Sequence, residues 1–174
     1  MTIALYRSSR GNWPSFALLV SLCFSSASFG ESSLPAATDL RADARNAKRS
    51  GFPLIVVVSL AGCPHCEVVR RSHLLPLLRE EVQPPKPIIR QIEINGRDFL
   101  RDFAGKEITH AQFAKTYGAR IAPVVFFFNA EGESLAGPLI GAMIPDFYGA
   151  YFDAALSEAQ SKVRPPPREP SPPE

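Results

Sequence analysis

The chain carries two kinds of hydrophobic pattern, one typical of buried strands and one typical of helices. The runs Leu54–Leu60 and Val124–Phe128 are almost continuously apolar and rich in β-branched or aromatic residues. Such runs predict strands that are covered on both faces, as in a sheet between two layers of helices. A less regular alternation from Ile88 to Ile94 predicts a third strand, and residues 134–142 predict a fourth.

Four segments carry the spacing and the end signals of helices. Asp39 is an N-cap candidate for a helix over 39–50, and Gly51 lies just past its end. Thr109 and Gln112 form a capping box that opens a later helix. The four predicted helices begin near Asp39, Pro64, Thr109 and Pro145.

Three features add detail to this pattern. Pro76 is expected to kink or end the helix that begins at Pro64, because it lacks the N–H that a helical hydrogen bond needs. Residues 97–106 form an insertion whose apolar residues are expected to contact one another, and these are Phe99, Leu100 and Phe103. The last helix is expected to bury a wide apolar face made of Phe147, Tyr151, Phe152, Ala155 and Leu156.

The order of these elements predicts an α/β fold in three layers, with helices on both faces of a sheet. We assign the folded domain to residues 39–162 and a flexible lead-in to residues 31–38. The end of the chain, 163–174, is predicted to be a disordered tail. Six of its last eleven residues are proline, and such a composition cannot bury a core.

Residues 1–30 differ from the rest and follow the pattern of a secretory signal peptide. Arg7 and Arg10 supply its positive region, a mostly apolar stretch over 13–24 follows, and small residues lead to Gly30. The apolar stretch is shorter than the about 20 residues of a membrane span. We therefore expect cleavage after Gly30 and export to the periplasm, with retention as an uncleaved membrane anchor as the alternative.

Charge and cysteine content narrow the classes of function. The 174 residues carry 19 basic and 17 acidic side chains, a net charge of +2 that gives no reason to expect a nucleic-acid partner. Removal of residues 1–30 would leave 17 of each sign. Of the three cysteines, Cys23 would be removed with the predicted signal peptide, whereas Cys63 and Cys66 would remain in the mature chain. One close pair in an oxidising compartment predicts a disulfide or a redox pair.

Cys63 and Cys66 stand where a buried strand gives way to a helix. Pro64 suits the first helical position, so Cys63 falls at the N-cap and Cys66 in the first turn. The free N–H groups and the positive end of the helix stabilise a thiolate at Cys63. Cys63 is therefore predicted to attack a substrate disulfide, and Cys66 to resolve the mixed disulfide. His65 adds a nearby donor that favours this thiolate.

Two other interpretations of the pair stay open from the residues alone. One is a plain structural disulfide. The other is a copper or zinc site that uses both cysteines with His65 or His73, although structural zinc wants four ligands and the chain has no second C-x-x-C. We assign no metal site, and we interpret His73 and His110 as solvated surface residues.

The chain resembles the thioredoxin superfamily through the motif Cys63-Pro64-His65-Cys66 after a buried strand, followed by Tyr117-Gly118 and by Pro123 before a second buried strand. The resemblance covers residues 39–160 and implies a thioredoxin fold, in which a central mixed β-sheet has helices on both faces. The Pro-His dipeptide is similar to that of DsbA-type disulfide oxidants. The length and the single exported domain look more like periplasmic proteins of the SoxW or TlpA type.

The resemblance also implies a role for Ala122 and Pro123. It implies a cis peptide bond between them beside the cysteines, with the Ala122 backbone turned outward to pair with substrate. An ordinary trans proline at a strand start is the alternative. Two positions depart from the family: Val57 stands where thioredoxins usually carry a buried acid, and Gly62 where they usually carry tryptophan. Val57 removes a carboxylate that would move protons to and from the resolving thiol.

Together these features predict an exported thiol–disulfide oxidoreductase that works without an organic cofactor. Its partners would be protein thiols and disulfides, and a membrane or soluble redox partner that recycles it; we expect a monomer. Pro-His favours an oxidant or isomerase, whereas the SoxW/TlpA resemblance favours a reductase, which we prefer. The alternative from another class is a metal-binding or client-holding module in which Cys63 and Cys66 are ligands.

Overall fold

The structure is a computed structural model that describes residues 33–79, 85–141 and 145–163. The predicted leader over 1–30 and all but the first residue of the predicted tail 163–174 lie outside these ranges.

The described residues form six strands and four helices. The strands are β1 (Leu54–Ser59), β2 (Ile88–Glu93), β3 (Phe99–Arg101), β4 (Glu107–Thr109), β5 (Val124–Phe128) and β6 (Leu139–Ile140). The helices are α1 (Leu40–Ser50), α2 (Pro64–Val69), α3 (His110–Thr116) and α4 (Pro145–Val163).

A four-stranded sheet in the order β2-β1-β5-β6 forms the centre of the fold. β1 pairs with β2 in parallel and with β5 antiparallel, and β6 pairs with β5 antiparallel. Every residue of β1 and β5 is buried because these strands lie side by side in the middle of the sheet. β6 covers only two of residues 134–142, which were predicted as a strand, because Pro138 cannot donate to a ladder.

Alternate residues of the sheet serve two cores, one on each face. On one face Ile55, Val57 and Phe127 pack with α2 and α4. On the other face Val56 and Phe126 pack with α1 and α3. A mixed sheet with helices on both faces confirms the predicted fold class.

Side-chain caps fix the starts of α1 and α3, as predicted. The N–H of Ala42 donates to the Asp39 carboxylate at 2.8 Å, and Gly51 follows the last residue of α1. The Gln112 N–H donates to the Thr109 hydroxyl at 3.2 Å, and the Thr109 N–H donates to the Gln112 side chain at 2.8 Å. This reciprocal pair is the predicted capping box, and it satisfies donors that a helix start leaves without partners.

The chain beyond α2 changes its helical geometry before it reaches an extended segment. A wide π turn spans Arg70–Leu74, and a tight 3₁₀ turn spans Leu75–Leu78. Pro76 lies in that last turn, where it lacks the N–H that would continue an α-helix. The prediction that Pro76 kinks or ends this helix is confirmed.

The described part of the predicted flexible lead-in, residues 33–38, belongs to the domain instead. The Ala37 N–H donates to the Gln91 carbonyl, and the Gln91 N–H donates to the Pro35 carbonyl, each at 2.9 Å. The segment thus runs parallel to the outer edge of β2. Leu34 and Ala37 are buried there. The lead-in prediction was wrong because backbone bonds to a distant strand hold this segment, and local hydropathy does not show them.

The insertion at 97–106 forms most of a small antiparallel hairpin, in which β3 pairs with β4. Leu100 is fully buried, and the Phe103 ring lies 4.9 Å from the Phe128 ring. Phe99 is 65% exposed because neighbouring strand residues point to opposite sides. The expectation that the three apolar residues contact one another was therefore wrong: two pack on the domain core, and Phe99 faces outward.

Helix α4 begins at Pro145 as predicted, but its buried face differs from the prediction. Tyr148, Phe152 and Ala155 are buried against the sheet, whereas Phe147 and Tyr151 are about 60% exposed. The apolar stripe with Phe152 and the one with Phe147 and Tyr151 both have helical spacing. Only packing against the sheet decides which of them is buried. Among the described helices, including this long one, none has the length and apolar character to cross a membrane.

The two histidines that were interpreted as solvated are packed within the domain. His110 is 3% exposed. Its Nε2 lies 3.0 Å from the Ala37 carbonyl, and its Nδ1 accepts the Glu93 N–H at 3.2 Å, which requires the tautomer with hydrogen on Nε2. His73 is half-buried, with its ring 5.0 Å from that of Tyr148. The prediction was wrong because these partners come from distant parts of the chain.

We expect His73→Gln to reduce the loss of stability in mild acid. Burial lowers the pKa of His73, and nearby Asp153 opposes this more weakly. Because the folded pKa lies below the unfolded one, folding disfavours the protonated form, so stability falls as the pH drops below about 6.5. Urea unfolding at about pH 7.5 and about pH 5.5 measures the effect, with exposed Ser72→Ala as control. An equal loss in the variant and the wild type would contradict the expectation.

Gly132 closes the turn between β5 and the segment that returns to the sheet. It has a φ of 85°, and an added Cβ would lie 2.5 Å from the Phe103 ring. We expect Gly132→Ala to lower the free energy of unfolding by about 2 kcal/mol, from backbone strain and overpacking. Gly137→Ala is the control, since a Cβ there meets no atom within 4 Å. Equal midpoints for the two variants in denaturant would show that Phe103 and the turn relax freely.

Candidate active site at Cys63 and Cys66

The motif lies where β1 ends and α2 begins. A tight turn leads from the strand, in which the Cys63 N–H donates to the Leu60 carbonyl at 3.2 Å. Gly62 has a φ of 72° in this turn. A left-handed conformation favours glycine over a bulky residue, which gives a physical reason for the departure from tryptophan at this position.

Cys63 and Cys66 form a disulfide in the structure, with their Cα atoms 5.3 Å apart. Cys63 is the N-cap of α2, Pro64 is its first residue, and the Cys66 N–H donates to the Cys63 sulfur at 3.1 Å. Cys63 is half-buried, whereas Cys66 is 5% exposed. Cys63 is thus the more accessible residue of the pair, and its sulfur already accepts a hydrogen bond that would stabilise a thiolate.

The loop before β5 lies against this sulfur. The peptide bond between Ala122 and Pro123 is cis, as the family resemblance implied. The Ala122 carbonyl oxygen lies 4.0 Å from the Cys63 sulfur, and Pro123 is buried. The structure therefore brings Ala122 and Pro123 to the redox pair, although they lie about sixty residues further along the chain.

The buried position beneath the motif holds no carboxylate. Val57 is 2% exposed, and it lies opposite Gln91 of β2 and Val125 of β5. Its side chain belongs to the core on the α2 face. No acid on β1 is therefore available to exchange a proton with the Cys66 thiol, as the sequence already indicated.

Glu67, the nearest acid along the chain, is already engaged. Its carboxylate accepts hydrogen bonds from the Arg70 guanidinium at 2.5 and 2.7 Å, and it also pairs with Arg71. The hydrogen bond from Arg70 is the main cause that lowers the pKa of Glu67; burial opposes it, and Arg71 adds to the lowering. An ion-paired carboxylate with a lowered pKa is a poor proton acceptor.

The histidines near the motif do not join the cysteines in a metal-binding cluster. His65 is exposed between the cysteines, as is Pro64, whereas the His73 ring is turned against Tyr148 of α4. Within the described ranges, no three His, Cys, Asp or Glu side chains come together in an arrangement that would hold a metal ion.

Two exposed aliphatic residues flank the site, and neither was predicted from the sequence. Leu60 precedes the turn into Cys63 and is 39% exposed, and Ile121 precedes Ala122 and is 50% exposed. Large apolar residues beside a reactive sulfur offer a contact surface for polypeptides. The sequence did offer one signal for them, since Leu60 lies close to the cysteine motif and Ile121 lies next to Ala122 and Pro123.

The chain belongs to the family of thioredoxin-like domains, whose sequence profile matches residues 40–156. This confirms the superfamily that the motif indicated. The fold and the close cysteine pair together support thiol–disulfide oxidoreductase chemistry, in which thioredoxin-fold proteins act on protein thiols and disulfides.

Similar solved structures include mitochondrial thioredoxin 3 from Saccharomyces cerevisiae in its oxidised form. It is 14% identical, the match covers 72% of this chain and 94% of that one, and the TM-score is 0.47. A thioredoxin-fold protein from Helicobacter pylori is 16% identical over 71% of this chain and 91% of that one, with a TM-score of 0.42. Thioredoxin O2 from Arabidopsis thaliana is 12% identical over 71% and 96%, with a TM-score of 0.45. No curated protein matches the chain.

Proposed function

We propose that this protein is an exported thiol–disulfide reductase that transfers electrons to protein disulfides through Cys63 and Cys66. The observation that carries the proposal is half-buried Cys63 at the start of α2, whose sulfur lies 3.1 Å from the Cys66 N–H and is covalently linked to that buried partner cysteine. An accessible sulfur with a shielded partner is the arrangement that two-step exchange requires.

In the reduced protein, the Cys63 thiolate attacks one sulfur of a substrate disulfide. A mixed disulfide forms, and the other substrate sulfur leaves as a thiolate that takes up a proton. Cys66 then loses its proton and attacks Cys63, which releases the second substrate thiolate and forms the intramolecular disulfide seen here. Two electrons pass to the substrate, and a membrane or soluble redox partner must return two electrons to the protein.

Substrate backbone would pair with the strand-like segment at Ala122, beside the attacking sulfur. The exposed Leu60 and Ile121 would add apolar contact near the reacting disulfide. The arrangement suits polypeptide substrates in an extended conformation.

We prefer a reductase to an oxidant because the chain resembles SoxW- and TlpA-type proteins. The reduction potential of the Cys63–Cys66 pair tests this choice. The purified protein is equilibrated with glutathione buffers, and the fraction of oxidised Cys63–Cys66 is measured by thiol alkylation and mass spectrometry. A potential near about −270 mV, as in thioredoxin, supports a reductant. A potential near about −120 mV, as in DsbA, would instead assign the protein as a disulfide donor. A pair that no buffer shifts would reject exchange altogether and leave the structural or metal-binding alternative.

Export is the second part of the proposal, and it rests on the leader pattern in residues 1–30. We propose a periplasmic location after cleavage at Gly30. Cell fractionation followed by N-terminal sequencing tests it: a soluble periplasmic protein that begins at Glu31 supports cleavage. A membrane-bound protein that still carries residue 1 would show an uncleaved anchor instead.

A further inference from the structure

A basic groove lies beside α1, the helix that packs on the opposite face of the sheet from α2. It has a volume of about 450 Å³. Four exposed cations and the half-buried Phe103 are among the residues that line it. The cations are Arg41, Arg45, Lys48 and Arg49.

The charge in this groove is poorly neutralised. Glu131 is the one acid among the described residues that line the groove, and it pairs with Lys48 at 3.4 Å. Within the residues that the structure describes, no carboxylate lies within ion-pair distance of Arg41 or Arg45. The one acid of α1, Asp43, is buried on the other side of the helix and bound to Arg90 at 2.5 and 2.8 Å.

Lys48 and Arg49 lie in the last turn of α1, where the helix dipole favours a cation, but helix stability does not explain Arg41 and Arg45. Arg41, Arg45 and Arg49 follow one another at four-residue intervals, and like charges at that spacing destabilise a helix. Arg41 also lies in the first turn, where the positive end of the helix dipole disfavours a cation. A partner of opposite charge would remove both penalties.

The spacing of the three arginines fits an extended chain. Four residues of helix rise about 6 Å, so Arg41, Arg45 and Arg49 form a row of cations about 6 Å apart. In an extended polypeptide, side chains at alternate positions lie about 6.6 Å apart on one side. A concave groove with an aromatic wall accepts such a segment, whereas a flat lipid surface does not enter it.

We propose that this groove binds an extended acidic segment of a partner protein, in which carboxylates at alternate positions meet Arg41, Arg45 and Arg49. Phe103 contacts the aliphatic part of the segment. This binding is independent of the disulfide chemistry and leaves Cys63 free to react.

Binding of labelled peptides to the purified protein, followed by fluorescence anisotropy, tests the proposal. One peptide alternates glutamate and serine over twelve residues, and a second has the same composition with its six glutamates in one block. We expect the alternating peptide to bind at least about fivefold more tightly. Arg41→Glu with Arg45→Glu should weaken its binding about tenfold, since each lost or reversed pair removes a favourable contact.

The matched control is Lys115→Glu with Arg120→Glu, two exposed cations outside the groove whose replacement changes the net charge equally. It should change binding less than twofold. If the glutamate variant fails to fold by circular dichroism, Arg41→Gln with Arg45→Gln serves in its place. Equal binding of the two peptides, or equal weakening by both variant pairs, would overturn the proposal. Binding to phosphatidylglycerol vesicles without peptide binding would also overturn it and assign the surface to lipid.

Discussion

Replacement of Cys63 by serine is expected to abolish disulfide exchange, by at least about a thousandfold, because a hydroxyl is not ionised at neutral pH and forms no disulfide. Replacement of Cys66 by serine is expected to have a different result. Cys63 stays half-exposed at the helix start and still attacks, but the mixed disulfide is not resolved. Cys66→Ser should therefore accumulate a covalent complex with its substrate.

Non-reducing electrophoresis with a disulfide-bonded model protein distinguishes the two variants. Each variant is compared with reduced wild type by thermal unfolding, since both lose the cross-link. A complex that forms with Cys63→Ser but not with Cys66→Ser would reverse the assigned roles. If neither variant loses activity, the redox pair is not the site of exchange.

Replacement of His110 by alanine is expected to lower the free energy of unfolding by about 3 kcal/mol. The imidazole accepts the Glu93 N–H and donates to the Ala37 carbonyl in a buried site, so its removal leaves two backbone groups without partners and opens a cavity. The histidine thereby joins α3, β2 and the segment at 33–38. Urea unfolding at neutral pH measures the change.

Lys115→Ala is the control for His110→Ala, because Lys115 is exposed on the same helix. A surface change of this kind should stay within about 0.5 kcal/mol. A loss below about 1 kcal/mol for His110→Ala would mean that water fills the space and satisfies both backbone groups. Amide exchange at Glu93 should then remain slow, which separates this outcome from a flexible site.

The sequence predicted those parts of the site that depend on local chemistry. Pro64 at the first helical position placed Cys63 at the N-cap, and the Cys66 N–H now donates to the Cys63 sulfur. The apolar runs of β1 and β5 placed both strands in the middle of the sheet. The cis bond before Pro123 followed from the family resemblance, because the residues alone favour an ordinary trans proline at a strand start.

The failed predictions concern contacts between distant segments. His110 meets Ala37 across 73 residues of sequence, and nothing near either residue indicates the pairing. Helix α4 has two apolar stripes of suitable spacing, and the sheet selects the one that contains Phe152 and leaves Tyr151 exposed. Leu60 and Ile121 depend on the same long-range assembly, since they flank one site only after β1 and β5 pair.

The segment at 33–38 has a consequence for aggregation. β5 consists of five consecutive apolar residues. Segments of this composition stack into cross-β fibrils when they are exposed. In the folded sheet β5 lies between β1 and β6. The segment at 33–38 covers the outer edge of β2, and β6, the strand at the other edge, is only two residues long. Short or covered edges give other chains little backbone to pair with. Irreversible heat inactivation should therefore follow global unfolding, because only then does β5 become accessible.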